Sequence, residues 1–248
     1  MKQEQLQTYI INLLQNHEID QAIEFVSSYQ NNYGKDDFYY LSQSDCLFMN
    51  GNYEEVITLL DPVKEELNNV FVYERLSDAC VYLSRYQDAL NYLDYVDFTQ
   101  PDSNLDRMIQ IKGYCHLKLD EYKQAIDAFE DYLMEHDDKK IYFQCAYCFK
   151  QLSLFDDAYD YFIRALDDDN LFSIAYEISE FDSLAYIDRF MTEFDLMEHK
   201  NYFYYLHFEY FNDRTSAIHY LTLFIEQQDS QDSFLQNKLI GLNRGYKS

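Results

Sequence analysis

The sequence predicts an all-α fold, a right-handed α-solenoid of about seven antiparallel helix pairs with a C-terminal capping helix. Glycine occurs 5 times and proline twice in 248 residues, whereas average usage would give roughly 17 and 12. This shortage of turn formers argues against a protein of many short strands. Hydrophobic residues make up 48% of the chain, which is enough for an extended core. The third observation is a short phrase that recurs at a nearly constant interval.

The recurring phrase is an aromatic or aliphatic residue, two polar residues and a small or branched residue. We call its fourth residue the anchor, and the five anchors are Ala22, Val56, Ala89, Ala125 and Ala158. The steps between them are 34, 33, 36 and 33 residues. Four residues after each anchor, on the same helical face, an apolar residue follows: Val26, Leu60, Leu93, Phe129 and Phe162. Five copies in register predict a repeat array.

Each repeat predicts two helices, and the anchor opens the second. The positions twelve residues before the anchors hold Ile10, Ser44, Ser77, Gly113 and Ala146. Four of these five residues are small, which lets the second helix approach closely. The turn between the helices, such as residues 119–121, is too short for anything but an antiparallel pair. Because such a pair cannot bury its apolar face alone, neighbouring pairs are expected to stack.

Beyond residue 165 the period weakens. Ala217 anchors another expected second helix, but the 59 residues from Ala158 to Ala217 are fewer than the roughly 68 that two full units need. Residues 171–194 therefore predict a compact, degenerate helix pair. One continuous solenoid is expected, with five regular repeats at 1–165, two degenerate pairs at 166–230 and a capping helix at 231–248. Pro62 predicts that the second helix of the second repeat stops or kinks near Asp61.

These repeats resemble the tetratricopeptide repeat (TPR) family, with its period of 34 residues, a small residue in the first helix and an aromatic residue then alanine opening the second. The resemblance covers roughly residues 4–165. Pro101 lies where the family often carries a closing proline. The departures are Val56 for the anchor alanine, Ile10 for the small residue and His116 for an apolar one.

The TPR resemblance implies a superhelix whose concave face, lined by first helices, holds a partner. The matching positions in this chain are Phe38, Leu41, Asp45, Phe71, Glu74, Asp78, Arg107, Gln110, Tyr114, Lys140, Phe143 and Tyr147. Family members that clamp a chaperone tail use lysine and asparagine at such positions, whereas this set contains only two basic residues. Aromatic rings beside carboxylates suit a partner segment that carries apolar anchors and Lys or Arg. The alternative is that several of these rings pack between repeats.

Charge excludes several classes of partner. Lys and Arg total 19 against 45 Asp and Glu, for a formal net charge of -26. Such a chain repels nucleic-acid phosphates and anionic membrane surfaces. It shows no signal peptide and no stretch that approaches the ~18 apolar residues of a membrane helix. We therefore expect a cytoplasmic protein with no nucleic-acid or membrane partner.

No motif predicts catalysis, a cofactor or a metal site. The single CxxC, at Cys145 and Cys148, has no second pair, and an odd total of five cysteines fits packing in a reducing compartment. The six histidines form no close ligand pair, and residues 167–170 lack the glycine and distant glutamate of an EF-hand. GxSxG, GxxxxGK[ST] and GxGxxG are all missing.

The expected function is a non-catalytic interaction module or scaffold that binds a basic or amphipathic segment of a protein or peptide in its concave groove. Two alternatives stay open. The protein could be a regulatory sensor that responds to a peptide, or a structural repeat protein that self-assembles, with a homodimer as its simplest form.

Overall fold

The computed structural model describes residues 3–67, 69–96, 105–167, 169–227 and 233–244, and its regular elements there are all helices. The chain forms two compact units, residues 1–135 (unit 1) and 136–248 (unit 2). Within the described residues, no helix has both the length and the apolar character that a membrane span requires.

Unit 1 contains four helix pairs. Its helices are α1 (Gln3–Gln15), α2 (Ile19–Tyr33), α3 (Asp37–Met49), α4 (Tyr53–Leu60), α5 (Lys64–Leu67), α6 (Val70–Tyr82), α7 (Tyr86–Leu93), α8 (Leu105–Lys118) and α9 (Tyr122–Leu133). The first helices α1, α3, α6 and α8 pack in succession, and each second helix packs on its own first helix. The site described below lies on these first helices.

Unit 2 contains three helix pairs and a last helix. Its helices are α10 (Lys139–Gln151), α11 (Phe155–Ala165), α12 (Leu171–Ser179), α13 (Leu184–Glu193), α14 (Lys200–Tyr210), α15 (Arg214–Gln227) and α16 (Ser233–Arg244). The pair α12 and α13, of 9 and 10 residues, occupies the stretch expected to be degenerate. The last helix packs on α15.

In six of the seven helix pairs of the described residues, the turn between the two helices has the same conformation, which lies five residues before the anchor. The residue there has a positive φ of 57 to 79° in six pairs: His17, Gly51, Ser84, Asp120, Ser153 and Asn212. The next residue donates its backbone N–H to a carbonyl five residues back, at 2.8 to 3.0 Å, as in a Schellman motif. Only one of the six residues, Gly51, is glycine. The other five turns adopt this conformation without the glycine that usually favours it.

Small residues at the anchors, and twelve residues before them, allow the two helices of a repeat to pack closely, as predicted from the sequence. All five anchors are fully buried. A Cβ atom added to Gly113 would lie 2.5 Å from the Phe129 ring, so a side chain at this position would require that ring to shift. Ile10, which departs from the small-residue pattern, is buried at 2% exposed.

The structure describes one of the two prolines, Pro62. Helix α4 ends at Leu60 and a 3₁₀ turn covers Asp61–Val63, so the stop or kink predicted near Asp61 is confirmed. Pro101 lies outside the described residues, as does the last part of the predicted capping segment, 245–248.

Candidate functional site

A groove of 360 Å³ lies on the first helices of unit 1, and we call it the first-helix groove. Helices α1, α3 and α6 supply its lining residues, which are Gln7, Ile11, Leu41, Ser44, Asp45, Phe71, Glu74 and Arg75. On each helix the lining residues lie three or four positions after the first of them, so they share one helical face. Stacking of the first helices therefore brings three separate stretches of sequence into one surface.

The apolar part of the groove is accessible to a partner. Ile11 of α1 and Phe71 of α6 are each 49% exposed. Leu41 of α3 is half-buried. Side chains of this size contribute roughly 1.5–3 kcal/mol each when they become fully buried. The groove can thus hold an apolar side chain of a ligand.

A chain of ion pairs across α3, α6 and α8 begins in the groove and continues beside it. Arg75 Nη2 lies 2.5 Å from Asp45 Oδ1. Arg107 Nε lies 3.1 Å from Glu74 Oε1, and its Nη2 lies 2.7 Å from Asp78 Oδ2. Three carboxylates therefore share two guanidinium groups, which leaves one formal negative charge.

Burial is the largest influence on the pKa values of two carboxylates in the groove. It raises the pKa of Asp45, although the adjacent Arg75 opposes the shift. Burial likewise raises the pKa of Glu74 against the opposing effect of Arg107. The arginines thus compensate the buried negative charge only in part, and a further cation at this position would be favourable.

The structure brings together four of the predicted residues of unit 1. Leu41, Asp45, Phe71 and Glu74 line the groove. Next to it, Asp78 and Arg107 are joined by their ion pair.

Phe38 requires a correction. It is 1% exposed, because the Tyr29 ring of α2 covers it with a centroid distance of 4.5 Å. Phe38 therefore belongs to the core of the first two repeats and does not line a binding surface.

The remaining predicted residues of unit 1 lie on α8. Gln110 and Tyr114 are half-buried. The Tyr114 ring meets the Tyr86 ring edge to face at 6.1 Å, and Lys118 Nζ lies 5.2 Å from its centroid. Tyr114 thus packs against the preceding repeat.

The predicted residues of unit 2 lie one turn apart on α10. Lys140 is exposed and the other two are half-buried. Phe143 packs edge to face on Phe162 at 5.2 Å, while Tyr147 lies beneath Lys150, whose Nζ is 5.2 Å from the ring centroid. Phe143 and Tyr147 therefore both take part in packing within the unit.

The TPR positions miss two basic residues that form ion pairs between first helices. One is Arg75, which directly follows the predicted Glu74. The other is Lys150 of α10, which is 8% exposed and donates to Glu177 of α12 and to Glu180 directly after this helix, the latter at 2.8 Å. Each lies on a first helix with acids on the neighbouring first helix, and this charge pattern is the signal that could have identified them.

The cysteines have the environment of packing residues. All five are buried thiols. Burial raises the pKa of Cys46 and Cys80 to about 11 and that of Cys115 and Cys148 to about 12, so these four carry no reactive thiolate at neutral pH. In the part of the chain that the structure describes, no three His, Cys, Asp or Glu side chains are grouped to hold a metal ion.

Comparisons with known proteins agree with this architecture. The family model for subunit 3 of the anaphase-promoting complex (cyclosome) matches residues 15–96, which is one third of the chain. A search of curated protein sequences gives no significant match.

Solved structures match a larger part of the chain. The C-terminal part of a TPR repeat-containing protein from Cytophaga hutchinsonii is 12% identical with a TM-score of 0.61, covering 95% of this chain and 98% of that one. MamA from Desulfovibrio magneticus RS-1 is 16% identical with a TM-score of 0.57, covering 66% and 93%. MamA from MSR-1 is 19% identical with a TM-score of 0.55, covering 66% and 94%.

These likenesses confirm the all-α solenoid fold that the spacing predicts. Together with the five registered repeats and the family match to residues 15–96, they support the resemblance of the chain to tetratricopeptide-repeat proteins.

Proposed function

We propose that this protein is a non-catalytic interaction module whose first-helix groove binds a basic or amphipathic segment of a partner protein or peptide. The observation that carries the proposal is the composition of the groove. It combines two half-exposed apolar side chains, Ile11 and Phe71, with carboxylates that exceed their arginine partners by one.

Affinity in this proposal comes from an apolar anchor. A partner side chain that contacts Ile11, Leu41 and Phe71 would bury surface that is exposed in the free protein. Interfaces of this type draw most of their binding energy from a few such buried anchors.

Charge would orient the partner segment and raise its association rate. The net charge of -26 attracts a basic segment over a long range, which raises the association rate at low salt. Within the groove, a partner cation near Glu74 would complete the compensation that Arg107 gives only in part. Binding should therefore weaken with salt mainly through the association rate.

Selection of ligands from a random peptide library would test the proposal, with affinities of the selected peptides measured by fluorescence anisotropy. The expected ligands carry Lys or Arg beside a bulky apolar residue. Phe71→Ala should weaken their binding about tenfold, equivalent to 1.4 kcal/mol. Met134→Ala is the matched control, because Met134 is 79% exposed and lies outside the groove lining.

Two results would overturn the proposal. One is selection of acidic peptides, and the other is equal affinity of the wild type and Phe71→Ala. Light scattering of the free protein addresses self-assembly: a concentration-dependent dimer that Phe71→Ala abolishes would assign the groove to a second copy of the chain.

A further inference from the structure

We propose that the outer face of helix α16 docks into the first-helix groove of a second copy of this chain. The inference rests on the proposed function, because it names the basic, amphipathic segment that the groove would take. Two copies joined in this way meet head to tail, through two different surfaces.

The outer face of α16 differs from the polar surface that normally ends a repeat array. Leu235, Leu239 and Leu242 pack inward against the core that includes α15. On another side of the helix, Phe234 is 69% exposed, which makes it the most exposed phenylalanine of the described residues. Docking against an apolar surface would remove this ring from water.

One stripe of α16 combines the exposed ring with a cation. Phe234, Lys238 and Gly241 are four and three residues apart and share one helical face. A Cβ atom added to Gly241 meets nothing within 4 Å, so the space beside the stripe is open. The side chain of Lys238 is 40% exposed and contacts Glu209 at 3.0 Å. Because an ammonium group has three donors, Lys238 can also donate to a carboxylate of a partner.

The first-helix groove has the matching spacing. Leu41 and Asp45 of α3 both line it and are four residues apart, as are the ring and the cation of the α16 stripe. Residues at this spacing lie about 5–6 Å apart on a helix surface. A copy of α16 that runs parallel to α3 can therefore place Phe234 on Leu41, with Lys238 beside Asp45.

Charge favours the same contact. Residues 233–248 contain three basic residues and no acidic one, whereas the carboxylates in and beside the groove exceed their arginine partners by one. The net charge of -26 makes two copies repel each other at long range. At physiological salt the Debye length is about 8 Å, so this repulsion is screened while charges in contact still attract.

Sedimentation equilibrium of the full chain tests this inference, at about 0.15 M salt and chain concentrations from about 10 μM to about 1 mM. We expect the weight-average mass to rise with concentration and to exceed that of two chains. The reason is that each joined pair keeps one free groove and one free α16 face, so a head-to-tail contact continues to add copies.

Two variants place a carboxylate in the proposed contact, Phe71→Asp in the groove and Phe234→Asp on α16. Each should weaken association at least about tenfold. Both residues are second in their helices, where an added negative charge is compatible with the helix dipole. Phe172→Asp is the matched control, because Phe172 is also second in its helix and is 53% exposed but belongs to neither surface.

An equimolar mixture of the two variants tests the head-to-tail geometry. Each variant keeps the surface that the other has lost, so the mixture should form dimers and nothing larger. Far-UV circular dichroism checks that the variants are folded; if Phe234→Asp is not, Lys238→Gln takes its place.

A wild-type mass that stays at one chain, equal weakening by Phe172→Asp, or a mixture that remains monomeric would each overturn the inference. Its failure is distinguishable from failure of the proposed function. A chain that binds the selected basic peptides but stays monomeric overturns the docking of α16 alone.

Discussion

The two units stabilise acidic first helices in different ways. In unit 1, Arg75 and Arg107 pair with acids while their own side chains are 29% and 54% exposed. In unit 2, Lys150 performs this role with a side chain only 7% exposed, shared between two glutamates. Water screens the arginine pairs and does not screen the lysine to the same degree. Removal of the cation is therefore expected to cost more stability in unit 2 than in unit 1.

Packing differs between the units as well. Close approach in unit 1 depends on small residues, with Gly113 against Phe129 as the tightest example. In unit 2 the short pair α12 and α13 is filled by large rings, since Phe181 and Phe190 are both fully buried. Where the repeat loses its period, large aromatic side chains fill the core, and the regular packing of a small residue against a large one is absent.

The largest effect should come from removing the buried lysine. Lys150→Met leaves Glu177 and Glu180 without their cation, and we expect a loss of about 3 kcal/mol in the free energy of unfolding. The matched change in unit 1, Arg75→Met, should cost about 1 kcal/mol because that pair is solvent-screened. Urea unfolding followed by circular dichroism measures both. Equal losses would show that the two ion-pair arrangements do not differ as their burial indicates.

A smaller effect should follow from filling the tight contact of unit 1. Gly113→Ala places a methyl group against the buried Phe129 ring, and overpacking of this kind costs about 1–3 kcal/mol. The gain in helix propensity, about 1 kcal/mol, offsets part of this cost. Gly241→Ala is the control in unit 2, because an added Cβ there meets nothing within 4 Å.

Thermal unfolding should therefore show a lower Tm for Gly113→Ala and an unchanged or higher Tm for Gly241→Ala. A stabilised Gly113→Ala variant would mean that Phe129 relaxes freely, and that the small position is not required for packing.

The smallest effect concerns pH. His207 is 6% exposed, its Nδ1 is 2.9 Å from the backbone oxygen of Ser179, and burial lowers its pKa below the ordinary 6.5. As the pH falls from 7, the unfolded chain binds a proton near 6.5 while the folded chain resists it, so stability decreases. The raised pKa values of Asp45 and Glu74 act in the opposite direction, because the folded state of unit 1 takes up protons first.

Free energies of unfolding measured between pH 7 and 5.5 for wild type and His207→Gln would test this. The glutamine amide can still donate to Ser179, and the variant should lose less stability as the pH falls. Identical slopes for the two proteins would contradict a role for His207.

Four of the eight residues that line the first-helix groove could be predicted from the repeat positions. Leu41, Asp45, Phe71 and Glu74 do line one groove, because positions one turn apart on stacked first helices must share a face. The assignment of Phe38 is wrong, since it occupies the same repeat position as Phe71 but is covered by Tyr29. A repeat position defines a direction on the helix, and the neighbouring helix decides whether a side chain there meets solvent.

The helix pairs and the all-α class can be predicted from the amino-acid sequence, because they depend on local periodicity and the anchors recur every 33 to 36 residues along the chain. Which charges meet depends on how the helices pack. Arg75 and Asp45 are 30 residues apart, as are Lys150 and Glu180, and their contacts require the exact stacking of one first helix on the next. Such pairing depends on side-chain geometry between helices, which the periodicity within a helix does not specify.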